Sequence, residues 1–143
     1  PKMDDKIKSD AQIIIARSAI KTNNDAKAKE AYAKLQKIAK GELAAEALYY
    51  DAYFKNKEAK FEASNKAVEK YSSTYSGYKY FGAKSLVVMA KNYYGLKDSF
   101  QATEILQSII DNFTEFPDVV TECQTELDKI KAEEAKTNSS VTK

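Results

Sequence analysis

Few residues of this chain have the types and spacing that catalysis requires. Two pairs of carboxylates, Glu46 with Asp51 and Asp111 with Glu115, could supply a general acid and a general base, but acidic residues at such spacings occur on most helical surfaces. The chain has no histidine, which removes the commonest neutral-pH base and the commonest metal ligand, and it has no glycine-rich phosphate loop. We therefore predict no catalytic residue, no metal site and no cofactor.

The single cysteine, Cys123, is likewise predicted to have no catalytic role. It lies on the apolar stripe of a C-terminal helical segment that also carries Val119, Val120, Leu127 and Ile130. Because no histidine is present to activate the thiol, we predict a small buried apolar residue and not a nucleophile. One cysteine cannot form an internal disulfide, so it indicates no compartment.

The charges exclude two classes of partner. The 23 basic and 21 acidic residues are interspersed and nearly cancel, so no long-range field favours nucleic acid or an anionic membrane surface. No apolar run approaches the roughly 20 residues that a bilayer span needs. We expect neither nucleic-acid binding nor direct membrane insertion.

The elements that position these residues are predicted to be helices, because the chain has only four glycines and two prolines. Residues 84–113 give the clearest pattern. Leu86, Met89, Ala90 and Tyr93 share one helical face, and Gly95 interrupts that helix. A second helix, capped by Asp98 or Ser99, follows. Its buried stripe is predicted to be Ala102, Ile105, Leu106, Ile109, Ile110 and Phe113.

This helical pair has two upstream counterparts. In the first helices, the positions of Ala16, Ala52 and Ala90 differ by 36 and then by 38. In the second helices, the positions of the small residues Ala28, Ala63 and Ala102 differ by 35 and then by 39. Small side chains suit positions where paired helices cross closely. Four positions further on, a bulky residue is expected, and the sequence has Tyr32, Ala67 and Leu106.

The spacing L-x2-M-A-x2-Y followed by A-x3-L resembles the tetratricopeptide signature, although Gln12, Leu48 and Leu86 stand where the signature has Trp. The middle repeat departs most, with Asp51 at an apolar position and Lys55 at the Tyr position. The longer, divergent repeats are similar to those of bacterial envelope-associated repeat proteins. This resemblance implies a periplasmic or envelope-associated location and the C-terminal part of a longer protein.

The resemblance implies an all-α fold, a right-handed α-solenoid of three helical hairpins and a capping helix. We expect one domain over 10–136, with hairpins at about 10–40, 42–75 and 82–113 and the capping helix at 117–136. Residues 1–9 are expected to be a disordered or vector-derived leader, and 137–143 a disordered tail. The tyrosine-rich stretch 72–82 is predicted to be a loop, either folded back on the solenoid or contacting a partner.

In the tetratricopeptide arrangement, the first helix of each hairpin lines a concave groove. Carried over by position, the groove residues here are Ile13, Arg17, Ile20, Tyr49, Tyr53, Val87, Lys91 and Tyr94. Aromatic and apolar positions with two cations suit an acidic, partly hydrophobic peptide, unless these residues only pack against the next repeat. We predict a non-catalytic scaffold that binds a protein or peptide. The alternative is a structural terminal segment that extends and caps a longer array and contacts upstream repeats of the same chain.

Overall fold

A computed structural model describes the backbone of residues 2–142 and the side chains of residues 4–138. Within residues 2–142 the chain forms seven α-helices and no strand, which confirms the all-α prediction. The helices are α1 Lys2–Lys21, α2 Asp25–Ile38, α3 Gly41–Lys57, α4 Phe61–Thr74, α5 Lys79–Gly95, α6 Ser99–Asn112 and α7 Pro117–Thr142.

Three pairs of helices are joined by turns of the same form. Each turn has three residues, and its middle residue has a left-handed backbone: Asn23 (φ 58°), Ala59 (φ 60°) and Lys97 (φ 69°). The positions of these three residues differ by 36 and then by 38, which is the spacing that the alanines of the first helices have. The backbone therefore repeats with the period read from the sequence.

Side chains and a glycine define the ends of these helices. Asn24 accepts a hydrogen bond from the backbone N–H of Lys27, and Asp98 accepts one from that of Gln101, so Asp98 is the cap of α6. Gly95 ends α5, as predicted. A Cβ there would lie 2.5 Å from the Phe61 ring, so a larger residue would require the Phe61 side chain to move.

The register of the middle repeat differs from the prediction. Ser64, and not Ala63, is the counterpart of Ala28 and Ala102, because each of these residues lies five positions after the middle of its turn and is fully buried. The small-residue positions thus also differ by 36 and 38. The bulky position that follows is Val68, so the one position that did not fit the expected bulky residue, Ala67, results from the shifted register.

Several predicted boundaries also shift. Helix α1 begins at Lys2 instead of about residue 10, and α7 continues to Thr142, so residues 2–9 of the expected leader and 137–142 of the expected tail are helical. Positions 1 and 143 lie outside the described residues. The loop predicted over 72–82 shrinks to residues 75–78. The Tyr71 hydroxyl on α4 donates a 2.6 Å hydrogen bond to the Tyr78 carbonyl at the end of this loop. This bond fixes the short connection.

Gly41 has a left-handed backbone (φ 63°) and begins α3, whereas α2 ends at Ile38. Each helix packs on the next one along the chain. In addition, α3 packs on α5, and α5 contacts α7. These contacts between neighbours are consistent with a helical repeat.

Candidate protein-binding surface

The predicted groove residues fall into two groups by burial. Ile13, Tyr49 and Val87 occupy the same position of successive first helices, and all three are buried in the core. Their side chains pack between helices and leave little surface for a partner. Ile20, Tyr53, Lys91 and Tyr94 are half-buried, and Arg17 is exposed.

Both predicted cations are already paired. Arg17 forms a bidentate salt bridge from α1 to Glu46 on α3, with N–O distances of 3.1 and 2.6 Å. Lys91 on α5 donates a 3.0 Å hydrogen bond to Glu122 on α7. Glu46, Lys84 and Glu122 follow one another at intervals of 38 residues. The same position of α3, α5 and α7 therefore carries a carboxylate, a lysine and a carboxylate.

The carboxylate of Glu46 is buried, and Arg17 and Tyr32 both bind it. Besides the Arg17 salt bridge, the Tyr32 hydroxyl donates a 2.7 Å hydrogen bond to it. Burial, followed by this hydrogen bond to Glu46, raises the pKa of the Tyr32 phenol far above its usual range. The hydrogen bond to Glu46 likewise raises the pKa of Arg17. The cluster therefore joins α1, α2 and α3.

Aromatic rings form a band across the first helices. Tyr50 stacks on Tyr32 with ring centroids 4.2 Å apart, and Phe81 lies 5.4 Å from Tyr49 and 5.2 Å from Tyr80. The band consists of Tyr32, Tyr49, Tyr50, Tyr53, Phe81, Tyr80 and Phe116. Sequence reasoning missed Tyr50 and Phe81, although each is the second ring of an aromatic pair in the sequence.

Lys84 lies within this band. Its ammonium group is 5.5 Å from the centre of the Tyr49 ring and 5.7 Å from that of Tyr80, both within the range of a cation–π contact. Among the described side chains it forms no salt bridge. The aromatic rings therefore hold a cation that no carboxylate neutralises directly.

Two tyrosine hydroxyl groups, one in the band and one outside it, bind α7. Tyr80 donates a 2.6 Å hydrogen bond to Asp118, and the predicted groove residue Tyr94 donates one to Glu133. These bonds, with the Lys91–Glu122 pair, hold α7 against α5. Tyr94 and Lys91 thus contribute to packing between helices.

The open part of the surface is a depression of about 380 Å³ where α1, α3 and α5 meet. Its apolar wall consists of Ile20, Tyr50 and Phe81, all half-buried. Charged and polar side chains complete the lining: Arg17, Lys21, Tyr32, Glu42 and Glu46. Of the predicted groove residues, the depression brings together only Arg17 and Ile20.

The residues considered for chemistry are dispersed or engaged. Glu46 binds Arg17, whereas Asp51 binds Lys55 at 2.9 Å on its own helix. Burial raises the pKa of the Cys123 thiol to about 12, which keeps it protonated. Among residues 4–138 no three metal-ligating side chains cluster, and no described helix has the length and apolar character to span a bilayer.

Comparison of the sequence with protein-family models and with curated proteins finds no match. The tetratricopeptide resemblance therefore stays a prediction. Any proposal of function depends on the geometry of the depression and of the helix faces around it.

Proposed function

We propose that this chain is a non-catalytic protein-interaction module, an α-solenoid of the tetratricopeptide kind, whose depression between α1, α3 and α5 binds a peptide segment of a partner. One observation carries the proposal. Partly exposed apolar and aromatic side chains, Ile20, Tyr50 and Phe81, line an open concavity that has charged residues at its edge. Apolar centres with polar rims are typical of peptide-binding surfaces.

The aromatic wall is well suited to binding because its rings are already ordered. Tyr50 is stacked on Tyr32 and packs edge-on against Tyr53, and Phe81 packs on Tyr49. A ring that is fixed before binding loses little conformational entropy when a ligand arrives. An aliphatic or aromatic ligand side chain placed between Tyr50 and Phe81 would provide most of the affinity.

The surrounding charges favour a ligand of mixed character. Because Arg17 is already paired with Glu46, a ligand carboxylate gains less from it than the sequence suggested. Lys21 at the edge of the depression and Lys84 in the aromatic band remain as cations for an acidic group. We therefore propose a peptide with one large apolar side chain and a nearby carboxylate.

The test is selection from a displayed random-peptide library, followed by affinity measurements on an enriched peptide. We expect Phe81→Ala to weaken binding about tenfold or more, because the ligand loses one wall of the depression. The matched control is Phe100→Ala on α6, since Phe100 is exposed and lies outside the depression. That control should bind with unchanged affinity.

Phe81 also packs on its neighbours, so a second variant separates binding from folding. Ile20→Ser changes another residue of the apolar wall, on α1, and circular-dichroism melts of all variants show whether the fold persists. If enriched peptides bind both depression variants as tightly as the parent, the depression is not the binding site.

A second candidate function, a structural segment that closes a longer array, is supported by α7. One exposed face of this helix carries Thr121, Thr125 and Asp128, and Asp128 is the counterpart of Ala90, where earlier first helices have a buried alanine. A polar face of this kind does not bury another helix, as expected of a terminal cap. Selection that enriches no peptide would favour this function over the first.

A further inference from the structure

Helix α1 exposes three isoleucines. Ile7 is 62% exposed, Ile14 66% and Ile15 40%. They lie at i, i+7 and i+8, with the exposed Ala11 at i+4, so they form one continuous stripe. This outer face, defined as Ile7, Ala11, Ile14 and Ile15, is an apolar surface that needs an explanation.

The first two positions of this pattern recur on the other first helices and on α7, and the third is apolar or aromatic on α3 and α5. The repeat relates a large apolar residue on each helix, at positions that differ by 36, 38 and 38: Ile7, Leu43, Phe81 and Val119. Four positions later each helix has a small residue: Ala11, Ala47, Ser85 and Cys123. Three positions after that come Ile14, Tyr50, Val88 and Glu126.

On α3, α5 and α7 the second helix of the preceding hairpin packs on these faces, and Tyr50 and Phe81 stay half-buried. Helix α2 covers α3, where Tyr32 stacks on Tyr50. Helix α4 covers α5 and α6 covers α7, through contacts in the shared apolar cores. The small residues Ala47, Ser85 and Cys123 are consequently at most 1% exposed. Within residues 4–138, Ala11 is the exposed member of this set.

We propose that the outer face of α1 is a surface that receives the second helix of a further hairpin of this same repeat. The proposal depends on the helical repeat and not on the peptide bound in the depression. The expected occupant resembles α4, which presents Val68 and Tyr71 to the core that contains Val88. The small residue at Ala11 lets such a helix approach closely.

A second copy docked head to tail is disfavoured by charge and polarity. The outward side of α7 presents Thr121, Thr125 and Asp128, which offer no apolar stripe to match Ile7 and Ile14. The two ends of the stack thus differ, one apolar and one polar. This difference is what a stack that can be extended at α1 and is closed at α7 requires.

The experiment extends the chain with its own hairpin. A copy of residues 41–78 replaces residues 1–4. Asp5 then follows the copied Tyr78 directly, as Lys79 follows Tyr78 in the natural chain. We expect amide hydrogen exchange in α1 to slow by about tenfold or more, because the copied α4 covers its outer face.

The substitution Ile14→Lys then tests whether that face is used. In the extended chain it should lower the melting temperature by about 4 °C or more, whereas in the 143-residue chain, where Ile14 is exposed, the change should be about 1 °C or less. The matched control carries Val68→Asp in the copied hairpin alone, and it should restore the fast exchange of α1.

Two results would overturn the proposal. One is exchange in α1 that is as fast in the extended chain as in the original. The other is a dimer of the 143-residue chain, seen by sedimentation, that Ile14→Lys dissociates, because the occupant would then be a second copy. Neither result affects peptide binding at Phe81, so failure of this inference and failure of the proposed function are distinguishable.

Discussion

Ala59 has a backbone conformation that alanine rarely adopts. Its φ of 60° lies in the left-handed region, where a Cβ clashes with the neighbouring peptide. The equivalent positions carry Asn23, a residue that tolerates this region, and Lys97, which does not. The geometry of the three-residue turn thus prevails over local preference at two of three sites.

Replacing this alanine by glycine should stabilise the protein. Glycine adopts φ near 60° without strain, so Ala59→Gly should raise the free energy of unfolding by about 0.5–1 kcal/mol. The matched control is Ala33→Gly, an exposed alanine inside α2, which should lower it by about the same amount. Urea unfolding of both variants measures the difference. Two changes of the same sign would contradict the assigned turn conformation.

Single residues also mark the limit of sequence reasoning about the site. The position of Arg17 on the first helix follows from its spacing to Ala16, but its partner Glu46 is far along the sequence, on another hairpin. Local periodicity cannot show such pairing, since the contact depends on how hairpins stack. For this reason Arg17 and Lys91, which were predicted to bind a ligand, are instead each paired with a glutamate.

At the scale of elements, a buried polar network joins the second and third hairpins. The Asn92 side chain, fully buried on α5, donates to Ser64 at 2.7 Å and to Asn65 at 2.8 Å, and it accepts a 2.8 Å hydrogen bond from Asn56. Ser64 in turn donates to the Ala52 carbonyl at 2.7 Å. The network therefore connects α3, α4 and α5.

Removing its centre should loosen this junction. Asn92→Ala leaves Asn65 without its donor and opens a cavity, so we expect a loss of about 2–3 kcal/mol in the free energy of unfolding. Ser85 on the same helix provides the control, because its buried hydroxyl has no hydrogen-bond partner among the described residues. Ser85→Ala should be neutral or stabilising by up to about 1 kcal/mol. Equal losses, measured by thermal and urea unfolding, would contradict the role of the network.

This network explains why the middle repeat was hard to place from the sequence. A search for small apolar residues selects Ala63, but the structure uses Ser64, whose hydroxyl has two buried partners. Helix type, hairpin number and the period of the repeat follow from patterns within each hairpin. The polar residue Ser64 is instead favoured by contact between hairpins, about which those patterns carry no information.

At the scale of the whole molecule, the aromatic band runs from α2 to Phe116, the residue just before α7, and crosses all three hairpins. Tyrosine hydroxyl groups in and beside the band bind acceptors at the junctions, as Tyr71 binds the Tyr78 carbonyl and Tyr80 binds Asp118. Packing between hairpins therefore depends on phenols that remain protonated.

The stability of the whole fold should accordingly fall at alkaline pH. Burial raises the pKa of Tyr71 to about 12, and the hydrogen bond to Asp118, with burial, raises that of Tyr80 to about 12. In the unfolded chain these phenols ionise near pH 10, so the stabilisation is complete below about pH 10 and is lost as pH rises towards about 12.

Lysines lose their charge in the same range, so Tyr71→Phe is needed to isolate the phenol. This variant should be less stable at neutral pH, by about 0.5–1.5 kcal/mol for the lost hydrogen bond, and should lose less stability on going to alkaline pH than the parent. The measurement is the urea midpoint at several pH values, with tyrosinate absorbance as the probe of ionisation, since the chain has no tryptophan. A midpoint with the same pH dependence in parent and variant would show that the Tyr71 phenol does not couple folding to pH.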